Sequence, residues 1–423
     1  VYSKRITERT IERLAEAFDL DDPHESSVVE IESWTERLAD AAPIPKGDGS
    51  PSRPLTREEE AFVLNERVMT KASFEYWSSH YAWCSVEGAG IKRMHPLFDS
   101  QRLLIDEMGR AEELVDTNQL AEGILLNILK ARRLGASTIS QAAAWHRLTT
   151  QTYLQAVVAS DVPAQSSYTI AIGYLMYEKL PWWLRPQLRA FSNTYPEEYE
   201  FASGCHVWCH AGQSVRGMEG ERGQIGRGKG PSIIHLTELA TWDDTKQIDS
   251  ALLPTLPYSP RALAFFESSP RGRNNWWHKH WQVSMAGHGR FSAVFIPWYA
   301  EPRKYRMAAP ADWTPSESTL THARRCEDQG PRWLHVPKLT LNRDQLYWYE
   351  RTRAYYEAKG ALSDFLQEYA ADPEECFVFS GKSLIPIDVQ QRITDQARTL
   401  AGAFEIAPLM DVEKARLAEG AGR

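Results

Sequence analysis

Apolar residues recur along this chain with two different periods. Ile6, Ile11, Leu14 and Phe18 fall on one face of a helix over residues 5–20, and Val28, Ile31, Trp34 and Leu38 repeat the pattern in a second helix. The stretch AAPIPKGDGSPSRP at 41–54 carries four prolines with glycine and serine, and reads as a linker. Residues 1–54 are therefore expected to be a helical extension, mobile against the main body. A third helical stretch, 56–83, holds Phe74, Tyr76, Trp77, Tyr81 and Trp83, whose simplest use is to pack a helical cap onto the main domain. From about 120 the texture changes. Short apolar runs appear, separated by helical stretches: ILLNIL (124–129), YLQAVVAS (153–160), HVWCH (206–210), SIIHL (232–236), ALAFF (262–266) and FSAVFIPW (291–298). Such alternation predicts an α/β domain with a largely parallel, buried sheet. After 381 the pattern is helical and charged, then frays.

Composition narrows the class only slightly. The 423 residues are 43% hydrophobic, 25% charged and 11% aromatic, which suits a large globular core. No run approaches the roughly 18 apolar residues of a membrane span, and the charged, helical beginning is no signal peptide. Five cysteines in this length do not make a disulfide framework, so a reducing cytosol is expected. The closest group, CHVWCH at 205–210, lacks a second ligand pair for zinc and alternates as a strand does. The net charge of −8 excludes a uniformly basic coat for nucleic acid, though not a local patch. One basic loop exists: residues 211–230 carry seven glycines with Arg216, Arg222, Arg227 and Lys229, which suits either a solvated loop or a polyphosphate or DNA contact.

The chemistry concentrates in four places. ILKARRLGASTISQ (128–141) is an apolar strand, a turn on Gly135, the hydroxyl pair Ser137-Thr138 and a helix start. A phosphate loop reads G-x-x-x-x-G-K-[ST], but here Lys130 stands at the first glycine and Ala136 at the lysine. A strand turning into a helix still offers backbone N–H groups and a positive dipole end to phosphates. Ser137 occupies the Mg²⁺-binding hydroxyl position, and Lys130, Arg132 or Arg133 could supply the missing cation. In PSIIHLTELATW (231–242), a strand runs into Glu238, placed to polarise a water beside a γ-phosphate. The usual aspartate position before it is Thr237, which weakens direct Mg²⁺ ligation there and leaves a hydroxyl that could act through water. ALAFFESSPRG (262–272) ends a third strand in Ser268 and Ser269. Upstream, MHPLFDSQRLLIDEM (94–108) offers Gln101, an amide able to pair with the adenine edge.

In this order the four elements resemble the large terminase subunit of tailed bacteriophages, the ATPase of the DNA-packaging motor. The resemblance spans about 74–381 and includes the closing run FLQEYAADPEECFVFSG (365–381). It implies a P-loop additional-strand (ASCE) ATPase fold, with a mainly parallel sheet flanked by helices and an N-terminal helical extension. The expected organisation is 1–54 extension and linker, 55–381 ATPase domain with helical lid, and 382–423 linker. It also implies ATP and Mg²⁺ as ligands, with Glu238, Arg133 and Arg132 catalytic and Ser137 and Glu238 on the metal. Lys130, Arg132, Arg133, Gly135, Ala136, Ser137 and Thr138 would cradle phosphates, Gln101 would read adenine, and Ser268 and Ser269 would sense the γ-phosphate. Terminases often replace the lysine after the glycine by an earlier Lys or Arg, as Lys130, Arg132 or Arg133 would here. The implied partners are double-stranded DNA, a portal protein, a small terminase subunit and like subunits in a ring, in the host cytoplasm and without a membrane. The 42 residues after Gly381 are too few for the nuclease domain with which the family continues, so no nuclease activity is expected. A nucleotide-binding scaffold without hydrolysis and a helicase-like translocase are the rival readings.

Overall fold

The computed structural model describes residues 1–20, 22–44, 49–120, 122–212 and 230–377. The basic loop with Arg216, Arg222, Arg227 and Lys229, the end of the closing run and the expected 382–423 linker lie outside the described residues.

Two helices open the chain, α1 (Lys4–Phe18) and α2 (Val28–Arg37). They are built into the body, which corrects the expectation of a mobile extension. Glu112 accepts the backbone N–H groups of Tyr2 and Ser3 at 2.8 and 3.0 Å. Tyr2 packs on Phe74 with ring centroids 5.0 Å apart, and Ile31 and Leu38 are buried in the main core. The helical stretch expected over 56–83 is divided. Helix α3 (Arg57–Ala72) starts on a capping box between Thr56 and Glu59. Ser73 ends it and caps α4 (Phe74–His80) through its side chain. Trp83 already belongs to a hairpin of β1 (Trp83–Val86) and β2 (Gly90–Arg93).

Helix α5 (Asp99–Asp116) leads into the main α/β unit: β3 (Ile124–Lys130), α6 (Ala136–Thr150), β4 (Gln155–Ser160), α7 (Pro163–Lys179), β5 (Leu188–Ser192), β6 (Glu198–Phe201), β7 (His206–Ala211), β8 (Ile233–Leu236), β9 (Leu263–Ser268), α8 (Trp276–Met285) and β10 (Ser292–Ile296). Three helices close the described chain: α9 (Glu317–Leu334), α10 (Arg343–Ala358) and α11 (Leu362–Glu368). Eight strands form one sheet in the order β10-β3-β9-β8-β4-β7-β6-β5. All pairs from β10 to β7 are parallel, and β5 and β6 extend the sheet antiparallel. Strand β9 lies between β3, which carries the phosphate-loop-like turn, and β8, which leads to Glu238. That insertion is the additional strand of the P-loop class. Every residue of β3, β8 and β9 is buried, as expected of strands covered on both faces by helices.

Close packing of α6 and α7 carries much of this cover. Trp145 of α6 is fully buried among Tyr177, Tyr199 and Phe201. A side chain at Gly173 of α7 would place its Cβ 1.9 Å from the Trp145 ring, so only glycine permits this approach.

Candidate functional site

Parallel strands end together, so the residues that follow β3, β9, β8 and β4 meet at one edge of the sheet. A cleft of about 840 Å³ opens there. Its walls include Lys130, residues 132–138, Asp161, Glu238, Ser269, Arg271, Gln367 and Glu368. The structure thus brings Lys130, Arg132, Arg133, Gly135, Ala136, Ser137 and Thr138 together with Glu238 and Ser269, which are distant in sequence. Gln101 and Ser268 stand behind this wall.

Gly135 caps α6 with φ of 75°, a left-handed conformation that aims the first turn of the helix at the cleft. Ala136 is the buried first residue of α6, so no side chain projects where a lysine would stand. A buried cation stands instead at the end of β3. Lys130 is buried, and its Nζ lies 3.7 Å from Glu238 Oε1. Burial opposes its charge, but the Glu238 and Glu267 carboxylates outweigh burial and hold the ammonium above its usual pKa. The two arginines are more open. Arg132 Nε pairs with Glu368 at 2.9 Å, its backbone N–H donates to the Glu368 carbonyl, and the Tyr305 hydroxyl donates to the Arg132 carbonyl. Arg133, at φ of 52°, faces Glu87 at 3.6 Å, with both side chains largely exposed. Such an exposed pair contributes little, so Arg133 is the cation most available to a ligand.

Glu238 also has left-handed backbone geometry, with φ of 55°. A glutamate there costs roughly 1–2 kcal/mol, and neighbouring hydroxyls hold the turn. Thr241 Oγ1 donates to the Glu238 carbonyl at 2.7 Å, and the Ala240 N–H donates to Ser268 Oγ at 3.0 Å. Ser268 is therefore a buried brace between β9 and the Glu238 turn, while Ser269 reaches the cleft.

Two expectations change at this edge. Thr237 was allowed a water-mediated role toward a metal, but its hydroxyl donates to Ser160 Oγ at 2.9 Å and it is buried. Gln101, assigned to adenine, has both ends of its amide engaged by backbone. Oε1 accepts from Phe98 N–H at 3.0 Å and Nε2 donates to Gly135 O at 3.4 Å. Each end keeps one further hydrogen-bonding site, but the side chain is buried off the cleft wall and fits better as a strut beneath the loop.

Sequence reasoning passed over several groups at the site. Asp161 follows β4, and its Oδ2 lies 2.9 Å from Thr241 Oγ1 as a second acceptor for the same hydroxyl proton. Arg271 follows Pro270 on the wall and lay unassigned within the SSPRG run. Gln367 Oε1 accepts from Gly272 N–H at 3.0 Å, tying α11 to the loop after β9. Burial outweighs Arg132 and pushes the Glu368 carboxyl above its usual value. Glu267, fully buried on β9, is a fifth such group, and no periodicity distinguishes it from the apolar strand around it.

The structure is similar to several solved phage proteins. The large terminase ATPase domain of Thermus phage P74-26 matches at 14% identity and a TM-score of 0.37, over 63% of this chain and 93% of that one. The large terminase of another thermophilic bacteriophage, in complex with ADP, matches at 11% and 0.35, over 48% of this chain and 46% of that one. The HK97 bacteriophage large terminase matches at 10% and 0.37, over 71% and 55%. The chain thus spans about half of the latter two proteins. No family model and no curated protein matches the sequence. With likenesses this distant, what the cleft can do is decided by its own residues.

Proposed function

We propose that this chain is the ATP-hydrolysing motor domain of a viral terminase, which moves double-stranded DNA into a procapsid. The observation that carries the reading is the Lys130–Glu238 pair at 3.7 Å, set in a cleft beside the first turn of α6. Phosphoryl transfer asks a protein mainly for position and electrostatics. Backbone N–H groups at the start of α6 suit phosphate oxygens, and Lys130, Arg132 and Arg133 add long cations around them. A triphosphate competes with Glu238 for Lys130. As Lys130 turns to the phosphates, the Glu238 carboxylate is released to orient the attacking water. Oxygen donors from Ser137 and Glu238 suit Mg²⁺, a hard cation that binds oxygen; when bound, it would neutralise charge on the phosphates. Double-stranded DNA, a portal, a small terminase subunit and a ring of like subunits are the partners that the sequence resemblance adds to this reading.

A nucleotide-binding scaffold without hydrolysis is the rival, because the same ion pair neutralises the carboxylate placed as a base. Turnover separates the two. Glu238→Gln is expected to bind ATP nearly as the wild type does while hydrolysis falls roughly 10²-fold or more, as when one preorganised catalytic group is lost. ATP hydrolysis is measured with DNA and the assembled motor present. A wild-type chain without turnover under those conditions, or a variant as fast as the wild type, defeats the motor reading.

A further inference from the structure

A phosphate-loop hydroxyl works best on a metal when something else takes its proton. The hydroxyl has one donor and two lone pairs, and donating the proton backwards turns the lone pairs to the ion. In this chain the position that would do this after β8 is Thr237, which has no carboxylate and spends its hydroxyl on Ser160. The parallel register of β8 and β9 pairs Ile233 with Leu263 and Leu236 with Phe266. One residue further, Thr237 stands level with Glu267. Between the two is a single strand spacing of about 4.8 Å, taken in the direction of β3, since β9 also pairs with β3 through Ile128 and Glu267.

A chain of hydrogen bonds fixes the state of this carboxylate. The Trp145 indole can only donate, and does so to Gln141 Oε1 at 3.0 Å. Gln141 Nε2 must then donate to His235 Nδ1, 2.6 Å away. The His235 proton is therefore on Nε2, which donates to Glu267 Oε1 at 3.2 Å. Glu267 is left as an acceptor, and its Oε2 is fully buried with no hydrogen bond of good geometry among the described residues. Burial opposes charge on this carboxyl, but Lys130, then His235 and last the nearby Ser137 hydroxyl hold it below its usual pKa. A buried carboxylate with an open oxygen behind a phosphate-loop serine calls for explanation.

We propose that Glu267, on the additional strand, positions Ser137 for a magnesium ion, doing from one strand over what Thr237 cannot do. Being fully buried behind Ser137, it acts on the hydroxyl rather than as a ligand itself. The inference rests on the nucleotide-site reading of the cleft, and the test separates the two. Affinity for a fluorescent ADP is measured with EDTA and again with Mg²⁺, for wild type and for Glu267→Gln, each checked for folding by its thermal melt. The wild type is expected to bind in EDTA and more tightly with Mg²⁺. In Glu267→Gln the Mg²⁺ tightening, read as the ratio of the two affinities, should fall roughly 10- to 100-fold, the usual effect of removing a group that orients a metal ligand. If Glu267→Gln does not fold, Glu267→Asp keeps the charge but withdraws it by one methylene, and is read in the same way. A folded variant with the full wild-type Mg²⁺ tightening overturns the role of Glu267 alone. A wild-type chain that binds no nucleotide in either buffer overturns the cleft reading and this inference with it.

Discussion

Lys130 shows what a residue list can and cannot convey. Its place in the sequence, six residues before Ala136, marks it as a candidate to replace the missing lysine, but spacing alone left it level with Arg132 and Arg133. Burial and the Glu238 pair single it out, and both depend on β8 lying two strands away, which no local pattern encodes. Gln101 illustrates the converse. Its amide chemistry suggested a base, yet a side chain at the third position of a helix also suits bonding back to the preceding backbone, and that use prevails. Gln101→Ala is accordingly expected to lower affinity for triphosphates of every base alike, with a stability loss of about 1 kcal/mol. Competition binding with ATP and a triphosphate of another base, alongside a chemical melt, checks this; a loss confined to ATP restores the adenine role.

Among the elements, the buried parallel strands were legible because strands covered on both faces are continuous apolar runs. Strands β5 and β6 were not. They are four or five residues long, and residues 189–192 and Glu198 are exposed, so no run rises above its surroundings. The break at Ser73 was hidden for another reason: aromatic residues continue across it, and only the serine cap reveals that one helix ends and another begins. The α6–α7 contact is also beyond reading from sequence, since Gly173 looks like any glycine in a helical stretch. Gly173→Ala is expected to destabilise by about 1–3 kcal/mol through overpacking against Trp145, seen as a lowered Tm. An unchanged Tm means α7 can shift without cost.

For the whole molecule, buried histidines set the response to acid. His146 lies between Phe74 and Trp77, donates Nε2–H to the Thr70 carbonyl at 2.7 Å, and is fully buried. Burial holds its pKa down to about 3, from an ordinary 6.5. Burial likewise lowers His280 to about 4 and holds His322 well below the ordinary value. Between these values and 6.5 the unfolded chain binds protons that the folded chain refuses. Stability therefore falls as pH drops below about 6.5, by about 1.4 kcal/mol per pH unit for each such group. Urea unfolding across this range should show that slope, and His146→Gln should reduce it by one group's share; an identical slope removes His146 from the account.

Helix α11 grips the cleft from both sides, through Glu368 on Arg132 and Gln367 on Gly272. A ligand that recruits the Arg132 side chain competes with Glu368 for its charge, while the backbone bond from the Arg132 N–H to the Glu368 carbonyl stays in place. Glu368→Ala removes the competitor and should tighten triphosphate binding, by no more than about fivefold for a pair this exposed; weaker binding would mean that the pair holds Arg132 ready rather than away. Backbone holds the helix at the phosphate loop and Gln367 holds it at the β9 loop, so recruiting the arginine frees a carboxylate into the cleft without freeing the helix.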